Sequence, residues 1–338
     1  MNNLKIHILF RFRTGPWGGS NQFLTALRDE FKVSGNWATS PASADVVLFD
    51  SFNEAREVIR WKRHLPQALF VQRVDGPISG YRGSDRHLDR LIFAFGQWIA
   101  EGVVFQSHFS RQANLALGMP EPRLSTVILN APQAIFKAVA RNPTGDLIHI
   151  VAVSWSANWN KGFDILLYLD QHLDFKRYTV TFIGNSPVRF RNIIQLPPQS
   201  SAALAELLLG YDIFLAPSRH DPCSNALGEA LAAGLPAVAL RSGGHPELIV
   251  HAGVLFDGIA DVIGCLDTLA ADLDGFRQHI KVRAIAEVAG EYLTFLSQVR
   301  ATGGPHRHLS IFGVLVLLMH LALRQVFLAR DKLRRNWH

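Results

Sequence analysis

Short apolar runs alternate with segments of helical periodicity through most of the chain. The runs are rich in Val, Ile, Leu and Phe, as in DVVLFD and ALFVQRV, which is typical of strands buried on both faces. Between the runs, apolar residues recur every three or four positions, which predicts helices. The first series has predicted strands at 4–10, 45–50, 68–74, 102–107 and 125–130, and predicted helices at 20–32, 54–64, 86–100 and 108–117.

The pattern restarts after a predicted linker at 131–146. A second series begins with LIHIVAVSW and continues through YTVTFIG, YDIFLAP and PAVAL, with helices predicted at 161–173, 201–210 and 224–233. Such alternation predicts parallel sheets with helices on both faces. We therefore expect an α/β protein of two doubly wound, Rossmann-like domains that face a central cleft, where ligands bind at the carboxyl ends of the strands. The predicted division is 1–135, 136–300 and a tail at 301–338.

The tail is apolar and then basic. Residues 309–323 contain no Asp, Glu, Lys or Arg, and the five basic residues that follow are accompanied by Trp337. Such a helix is typical of an element that lies in a membrane interface. A terminal helix that packs back on the first domain predicts the same pattern, so both interpretations stay open.

Composition excludes several classes of protein. Of the 338 residues, 48% are hydrophobic and 18% are charged, which excludes a disordered chain. Two cysteines provide no disulfide framework, and the start of the chain lacks the features of a secretory signal, so we expect a cytoplasmic protein. A net charge of +6 favours an anionic partner, such as a nucleotide sugar, a lipid surface or nucleic acid.

The densest candidate chemistry lies between Tyr211 and Leu248. Asp221 and Glu229 are eight residues apart, one in the loop before a predicted helix and one inside it. Ser224 or Asn225 is a suitable N-cap, and the N–H groups that follow form a site for a diphosphate. This arrangement suggests a site that holds a sugar nucleotide at both ends.

A glycine-rich turn follows the first predicted strand. Gly15, Gly18 and Gly19 precede a helix there, and glycines let backbone N–H groups approach a phosphate without an intervening side chain. The spacing is not G-x-G-x-x-G, which counts against a dinucleotide-binding dehydrogenase.

The segment from Tyr211 to Leu248 resembles the retaining glycosyltransferases of family 4, which have the GT-B architecture. The family pattern is an acid, seven residues, Glu, then E-A-x-A-x-G-x-P-V and a G-G-x-P-E loop. The matching residues here are Asp221, Glu229, Ala230, Ala232, Gly234, Pro236, Gly243, Gly244, Pro246 and Glu247, and Val238 lies one position after the Val of the pattern. The resemblance continues more weakly to about residue 300. Asp221 is a departure, because the family usually has Glu at this position.

The resemblance implies roles for individual residues. Glu229 would accept hydrogen bonds from the ribose, Asp221 would contact hydroxyls of the sugar, and Gly18 and Gly19 would lie beside the distal phosphate. Ser224, Asn225 and Ala226 complete the predicted donor-binding set at the helix start.

The segment at 154–166 carries a further implied role. Lys161 would neutralise the departing diphosphate, where a fixed cation is most effective as charge develops. The family commonly has Arg where this chain has Ser156. Either Lys161 and amides such as Asn158 suffice, or another cation, for example Arg219, enters the site.

Other candidates are less specific. Asp75, with Arg73, lies in a glycine-rich loop after a predicted strand and is our candidate for acceptor contacts, although a D-G-P turn explains it nearly as well. Asp272 and Asp274 form a D-x-D sequence between helical segments, which we interpret as helix capping. We predict no metal site and no cofactor, because the histidines do not have metal-ligand spacing.

These features predict a glycosyltransferase of hexosyl type that uses a nucleotide-diphosphate-sugar donor and a glycan or lipid-linked hydroxyl acceptor. The resemblance implies retention, without a protein nucleophile, and a role in bacterial-type surface polysaccharide or glycolipid synthesis. We expect no nucleic-acid partner and either a cytoplasmic or a peripheral location on the inner face of the membrane. The alternatives are a GT-B nucleotide-sugar epimerase and a non-catalytic sugar-nucleotide-binding or membrane-associated protein.

Overall fold

The computed structural model describes residues 4–15, 17–82, 85–139, 147–302 and 308–335. Contacts divide the chain into two compact units, and each unit is formed by more than one segment of the sequence. The first unit comprises Met1–Arg11, Leu27–Leu129 and Ala286–His338, and the second comprises Phe12–Ala26 and Asn130–Ile285. This grouping differs from the predicted division at 135 and 300. The glycine-rich turn belongs to the second unit, and residues from 286 onward belong to the first.

The first unit is built on a five-stranded parallel sheet whose strands follow sequence order, β1-β2-β3-β4-β5. The strands are β1 (Ile6–Leu9), β2 (Val46–Asp50), β3 (Leu69–Val74), β4 (Gly102–Phe105) and β5 (Ser125–Val127). The helices are α1 (Gly19–Val33), which crosses from the second unit, α2 (Ala55–His64), α3 (Ile78–Arg82), α4 (Arg86–Trp98) and α5 (His108–Ala116). Each strand and helix predicted for the first series is confirmed.

The second unit contains a six-stranded parallel sheet in the order β11-β10-β9-β6-β7-β8. The strands are β6 (Ile148–Ser154), β7 (Tyr178–Gly184), β8 (Ile194–Leu196), β9 (Ile213–Ala216), β10 (Ala237–Leu240) and β11 (Gly253–Phe256). The helices are α6 (Phe163–His172), α7 (Ser201–Leu208), α8 (Asn225–Ala232), α9 (His245–Ile249), α10 (Val262–Ala271) and α11 (Leu273–Gln278). The strand order reverses between β9 and β6, which creates a switch point at the carboxyl ends of these strands.

Both faces of the second sheet are covered. Along β9, Phe214 packs in one apolar cluster while its neighbours Ile213 and Leu215 pack in another. Because successive side chains of a strand point to opposite faces, these clusters lie on opposite sides of the sheet. The doubly wound arrangement is therefore confirmed for this unit.

Two C-terminal helices complete the first unit, namely α12 (Ile285–Ala301) and α13 (Ile311–Arg335). A Cβ placed on Gly102 of β4 would lie only 2.8 Å from Val299 Cγ2 and 3.1 Å from Phe295 Cζ. The side chains of α12 thus pack directly on the sheet at a position that lacks a side chain of its own. This contact explains why residues after 285 leave the second unit.

Helix α13 packs along α4 through one face. Leu317 is fully buried, the Phe312 ring contacts Trp98 at 5.7 Å between centroids, and Arg324 pairs with Asp85 at 3.5 Å. Packing of the tail on the first unit, one of the two interpretations that the sequence left open, is therefore observed. Among the described residues, Ile311–Arg330 is the one helical stretch long and apolar enough to cross a membrane, and only 11% of its most apolar part is buried. Trp337 lies outside the described residues.

Candidate functional site

The N-terminus of α8 begins directly after the acidic loop, at the carboxyl end of β9. Ser224 is the N-cap, and its hydroxyl accepts a hydrogen bond from the N–H of Leu227 at 3.4 Å. Asn225 and Ala226 occupy the first helical positions, where N–H groups have no intrahelical acceptor and the helix dipole favours an anion. The prediction that Ser224 or Asn225 caps this helix is confirmed for Ser224.

The glycine turn packs against this helix start within the second unit. A Cβ on Gly19 would lie 2.2 Å from Asn225 Nδ2, so any side chain there would have to displace the Asn225 amide. Asn225 is itself held by Asn130, whose Nδ2 donates to Asn225 Oδ1 at 3.0 Å. The structure therefore brings Gly18, Gly19 and Asn225 together, although they are some 200 positions apart in sequence.

Lys161 and Asp221 form an ion pair at the carboxyl ends of β6 and β9. Lys161 Nζ lies 2.9 Å from Asp221 Oδ2, and the two side chains are only 17% and 11% exposed. Burial opposes ionisation of Asp221, but the charge and the hydrogen bond of Lys161 act against it, and the pKa of this carboxyl lies below its usual range. Both groups are therefore charged at neutral pH, in a place where charge is poorly screened.

The loop after β10 explains the two glycines of the G-G-x-P-E sequence. Gly243 has a φ of +64°, and a Cβ there would lie 2.2 Å from the carbonyl oxygen of Asp221. The N–H of Gly244 donates to the same carbonyl at 2.8 Å. On the other side, Ser242 Oγ accepts from the N–H of His220 at 3.0 Å. The loop thus fixes the backbone on which the Asp221 carboxylate stands.

His245 is a site residue that the sequence interpretation missed. It is fully buried, and its Nδ1–H donates to the carbonyl of Leu240 at 2.9 Å, so that Nε2 accepts from the Ser218 hydroxyl at 3.2 Å. Burial lowers the pKa of His245 although Asp221 raises it, so the ring is neutral. No signal in the sequence pointed to it, since His245 occupies the variable position of the G-G-x-P-E sequence.

Glu229 lies one turn into α8 and is only 8% exposed. Burial raises the pKa of this carboxyl to about 8. Unlike Asp221, Glu229 is not stabilised by a cation among the residues that the structure describes. A buried carboxyl with no neighbouring cation is suited to bind a ligand whose hydroxyl groups donate hydrogen bonds to it.

The loop between β6 and α6 is organised by its own polar side chains. Asn158 Oδ1 accepts from the N–H of Asn160 at 2.8 Å and caps a single 3₁₀ turn at Trp159–Lys161. This cap positions Lys161, so Asn158 supports the cation through the backbone. Arg219, the suggested substitute cation, forms a bidentate pair with Asp164 at 2.7 and 2.8 Å. Its terminal nitrogens are thereby engaged beside α6.

Asp75 belongs to the first unit, at the end of β3. Its carboxylate accepts from Arg73 at 3.3 Å, while Arg73 is fully buried and pairs with Asp50 at 2.5 Å. Ser110 Oγ and Asn114 Nδ2 donate to the Asp75 carbonyl at 3.1 and 2.8 Å. Arg73 is therefore an internal anchor that orients Asp75, whose side chain keeps 22% of its surface exposed.

The described residues contain no group of three or more His, Cys, Asp or Glu side chains placed to hold a metal ion. The D-x-D sequence has a local role, because Asp272 accepts from the N–H of Gly275 at 3.0 Å and caps α11. The capping interpretation is confirmed.

A known protein family matches part of the second unit. Residues 148–272 match the family model described as Glycosyl transferases group 1, which confirms the resemblance to glycosyltransferases for the segment that contains Lys161, Asp221 and Glu229. No curated protein sequence gives a significant match.

Similar solved structures include sucrose-phosphate synthase from Thermosynechococcus elongatus (13% identity, 88% of this chain and 100% of that chain, TM-score 0.69). Another is Anabaena HepE in complex with UDP and glucose (16% identity, 88% and 99%, TM-score 0.64). A third is the lipopolysaccharide outer core galactosyltransferase WaaB (12% identity, 87% and 99%, TM-score 0.64). At these identities the likeness concerns the fold, and the predicted GT-B fold class of two Rossmann-like domains is confirmed.

Proposed function

We propose that this protein transfers a hexosyl group from a nucleotide-diphosphate sugar to a hydroxyl acceptor, with retention and without a metal ion. The observation that carries the proposal is the Lys161–Asp221 ion pair, 2.9 Å long. It joins the loop between β6 and α6 to the loop that leads into the capped start of α8. The cation and the row of helix N–H groups suit the negative charge of a diphosphate, and the carboxylate suits the hydroxyls of a sugar. Anabaena HepE, a structural neighbour, has been solved with UDP-glucose, which makes UDP-sugars the first donors to test.

Lys161 provides the charge that the leaving diphosphate needs. The bond to the sugar breaks as negative charge gathers on the departing oxygen, so a fixed cation stabilises the transition state more than the bound donor. In the ligand-free protein Asp221 holds the ammonium group in place. With donor bound, the carboxylate would accept from sugar hydroxyls, while the acceptor proton passes to a phosphate oxygen.

Glu229 is assigned to the ribose. Its buried carboxyl lies one turn from the N–H groups proposed for the diphosphate, and the ribose is joined directly to that diphosphate. No cation stabilises Glu229 among the described residues. The two vicinal hydroxyls of the ribose would donate hydrogen bonds to its carboxyl instead. In the first unit, Asp75 is proposed to contact the acceptor, because Arg73 fixes its orientation and leaves part of the carboxylate exposed.

The test is turnover. Purified protein is incubated with UDP-, GDP- or ADP-sugars and a panel of glycan and lipid-linked acceptors, and nucleotide release is measured with and without EDTA. We expect acceptor-dependent release that EDTA leaves intact. An isomerised nucleotide sugar formed without an acceptor and without net nucleotide release would indicate an epimerase. Binding without turnover would indicate a binding protein.

Lys161→Ala tests the assignment of the cation. We expect turnover to fall by about 100-fold or more with a smaller change in the Michaelis constant. The matched control is Lys176→Ala, which removes an exposed lysine of the same unit. A Lys161→Ala protein with wild-type turnover contradicts the assignment.

We also propose that α13 holds the enzyme on a membrane surface, which suits a lipid-linked acceptor of surface polysaccharide or glycolipid synthesis. The face of α13 turned away from α4 is apolar, with Ile311 82%, Leu315 59%, Leu318 48% and Val326 52% exposed. These positions recur at helical spacing, so they form one stripe. The helix continues into a basic sequence, which complements an anionic lipid surface.

Vesicle co-sedimentation separates the possible roles of α13. Wild-type protein should pellet with anionic vesicles and less with neutral ones, and Ile311→Ser/Leu315→Ser/Leu318→Ser should stay in the supernatant with its melting temperature little changed. If the apolar stripe instead joins two copies of the protein, light scattering would detect a dimer and the protein would not pellet with vesicles. A spanning helix would resist extraction at high pH.

A further inference from the structure

Two exposed tryptophans lie together beside the glycine turn of the second unit. Trp17 and Trp155 are 39% and 40% exposed, and their ring centroids are 5.6 Å apart with an interplanar angle of 42°. Tryptophan is the side chain with the most apolar surface to bury, so a pair in contact that remains open to solvent is an unusual surface. Neither ring has a place in the interpretation of the site above.

Both tryptophans are held in position. Trp155 follows β6 directly, and its carbonyl accepts from Asn185 Nδ2 at 2.7 Å. The guanidinium carbon of Arg13 lies 4.2 Å from the centroid of the Trp17 ring. Arg13 is fixed by Asn21, which accepts from its N–H at 2.9 Å and donates to its carbonyl at 3.0 Å. The cluster of Arg13, Trp17 and Trp155 is therefore anchored through its backbone.

The cluster adjoins the proposed diphosphate site. A Cβ on Gly18 would lie 3.5 Å from Trp155 Cδ1, so the indole is the nearest side chain to this glycine. Trp155 and Lys161 are on the same loop, and Lys161 contacts Asp221, the residue assigned to the sugar. The ribose side is assigned to Glu229 on α8. A donor whose diphosphate lies at Gly18 and whose ribose lies at Glu229 has its sugar on the other side of the diphosphate. The sugar is therefore the part of the donor that would contact the two indole rings.

We propose that Trp17 and Trp155 form a stacking subsite for the pyranose ring of the donor, with Arg13 at its rim. This inference rests on the proposed function. A pyranose has an apolar face of C–H groups, which carry small positive charges and pack well on the negative face of an indole. Its edge carries hydroxyls, for which Arg13 supplies N–H donors that remain charged at any ordinary pH.

The experiment compares a nucleotide with its sugar conjugate. Wild-type protein is first titrated calorimetrically with UDP, GDP, ADP and their glucose conjugates, and the base that binds best is used for the variants. For Trp155→Ala we expect the glucose conjugate to bind roughly 3- to 10-fold more weakly, the range for one lost aromatic contact, with the bare nucleotide unchanged. Trp155→Phe should retain most of the affinity.

Trp159→Ala is the matched control, since Trp159 lies on the same loop, is 53% exposed and packs edge-on against Phe163. It should leave the ratio of the two affinities unchanged. Equal losses for nucleotide and conjugate in Trp155→Ala, or no loss for either, overturn the subsite while the donor site stands. A wild-type protein that binds none of the six ligands refutes the proposed function itself.

Discussion

Without ligand, the stability of Glu229→Gln relative to wild type should increase as pH rises. Burial raises the pKa of Glu229 to about 8 from an ordinary 4.5. Between these two values the unfolded chain has released the proton and the folded protein has kept it, so the folded state loses stability with increasing pH. Below 4.5 both states are protonated and above 8 both are ionised, so the loss is confined to this window.

The magnitude follows from the two pKa values. Each pH unit inside the window lowers the free energy of unfolding by about 1.4 kcal/mol, which integrates to roughly 3.5 kcal/mol between pH 5 and pH 8. Glutamine has nearly the same shape and does not titrate. The stability of Glu229→Gln relative to wild type should therefore increase by roughly 3.5 kcal/mol over this range, and other ionisable groups cancel in the comparison.

Denaturant-dependent hydrogen exchange measures this difference in the second unit alone. Peptides from β9 and β10 report its unfolding, which avoids treating a protein of two units as two-state. Glu206→Gln, an exposed change in the same unit, is the control and should shift stability by no more than about 0.5 kcal/mol at either pH. A pH-dependent gain below about 1 kcal/mol for Glu229→Gln would mean that this carboxyl is solvated, and the physical basis for its role would be lost.

Three further predictions concern the site and the fold. UDP affinity of the wild type should rise about fivefold from pH 7 to pH 8, because ribose binding requires ionised Glu229, and titration of Glu229→Gln should show no such rise. Gly243→Ala should lower stability by about 1–3 kcal/mol and reduce turnover, since alanine is strained at this φ and meets the Asp221 carbonyl; Gly264→Ala, with open space around it in α10, should be neutral or stabilising, and equal melting temperatures would contradict the loop geometry. Leu317→Ala should destabilise the protein by about 2–5 kcal/mol, whereas Leu318→Ala, 48% exposed, should change stability by no more than about 0.5 kcal/mol; similar values for both would mean that α13 does not dock on α4.

The sequence predicted local structure well because the strands are buried on both faces. DVVLFD and ALFVQRV became β2 and β3, with every residue of these strands buried. β11 was missed, since three of its four residues are only partly buried and its apolar run is short. The grouping of the units was missed for another reason. Whether α12 packs on one sheet or the other is decided by contacts such as Val299 with Gly102, which local periodicity does not encode.

Within the candidate site, the sequence interpretation named residues that stand in a motif and missed residues that do not. Asp221, Glu229 and Lys161 stand in a recognisable spacing, and the structure adds what positions them. His245 and Asn130 act through tertiary contacts with no sequence signature. Trp17 and Trp155 are in contact across 138 positions of sequence, so only the folded chain reveals that they form a pair.

The division of the first unit between the two ends of the chain has a consequence for synthesis. Its sheet is complete once β5 has been made, but α12 and α13 are separated from it by the whole of Asn130–Ile285. At 5–20 residues per second a ribosome needs roughly 10–30 s to translate that stretch. During this time the apolar surface that later packs against Phe295, Val299 and Leu317 remains exposed to solvent. By the end of it, all residues of the second unit have been synthesised. The nascent protein should therefore bind chaperones through its first unit. A stop codon before α12 should remove the two helices that cover the first unit, while the second unit still folds.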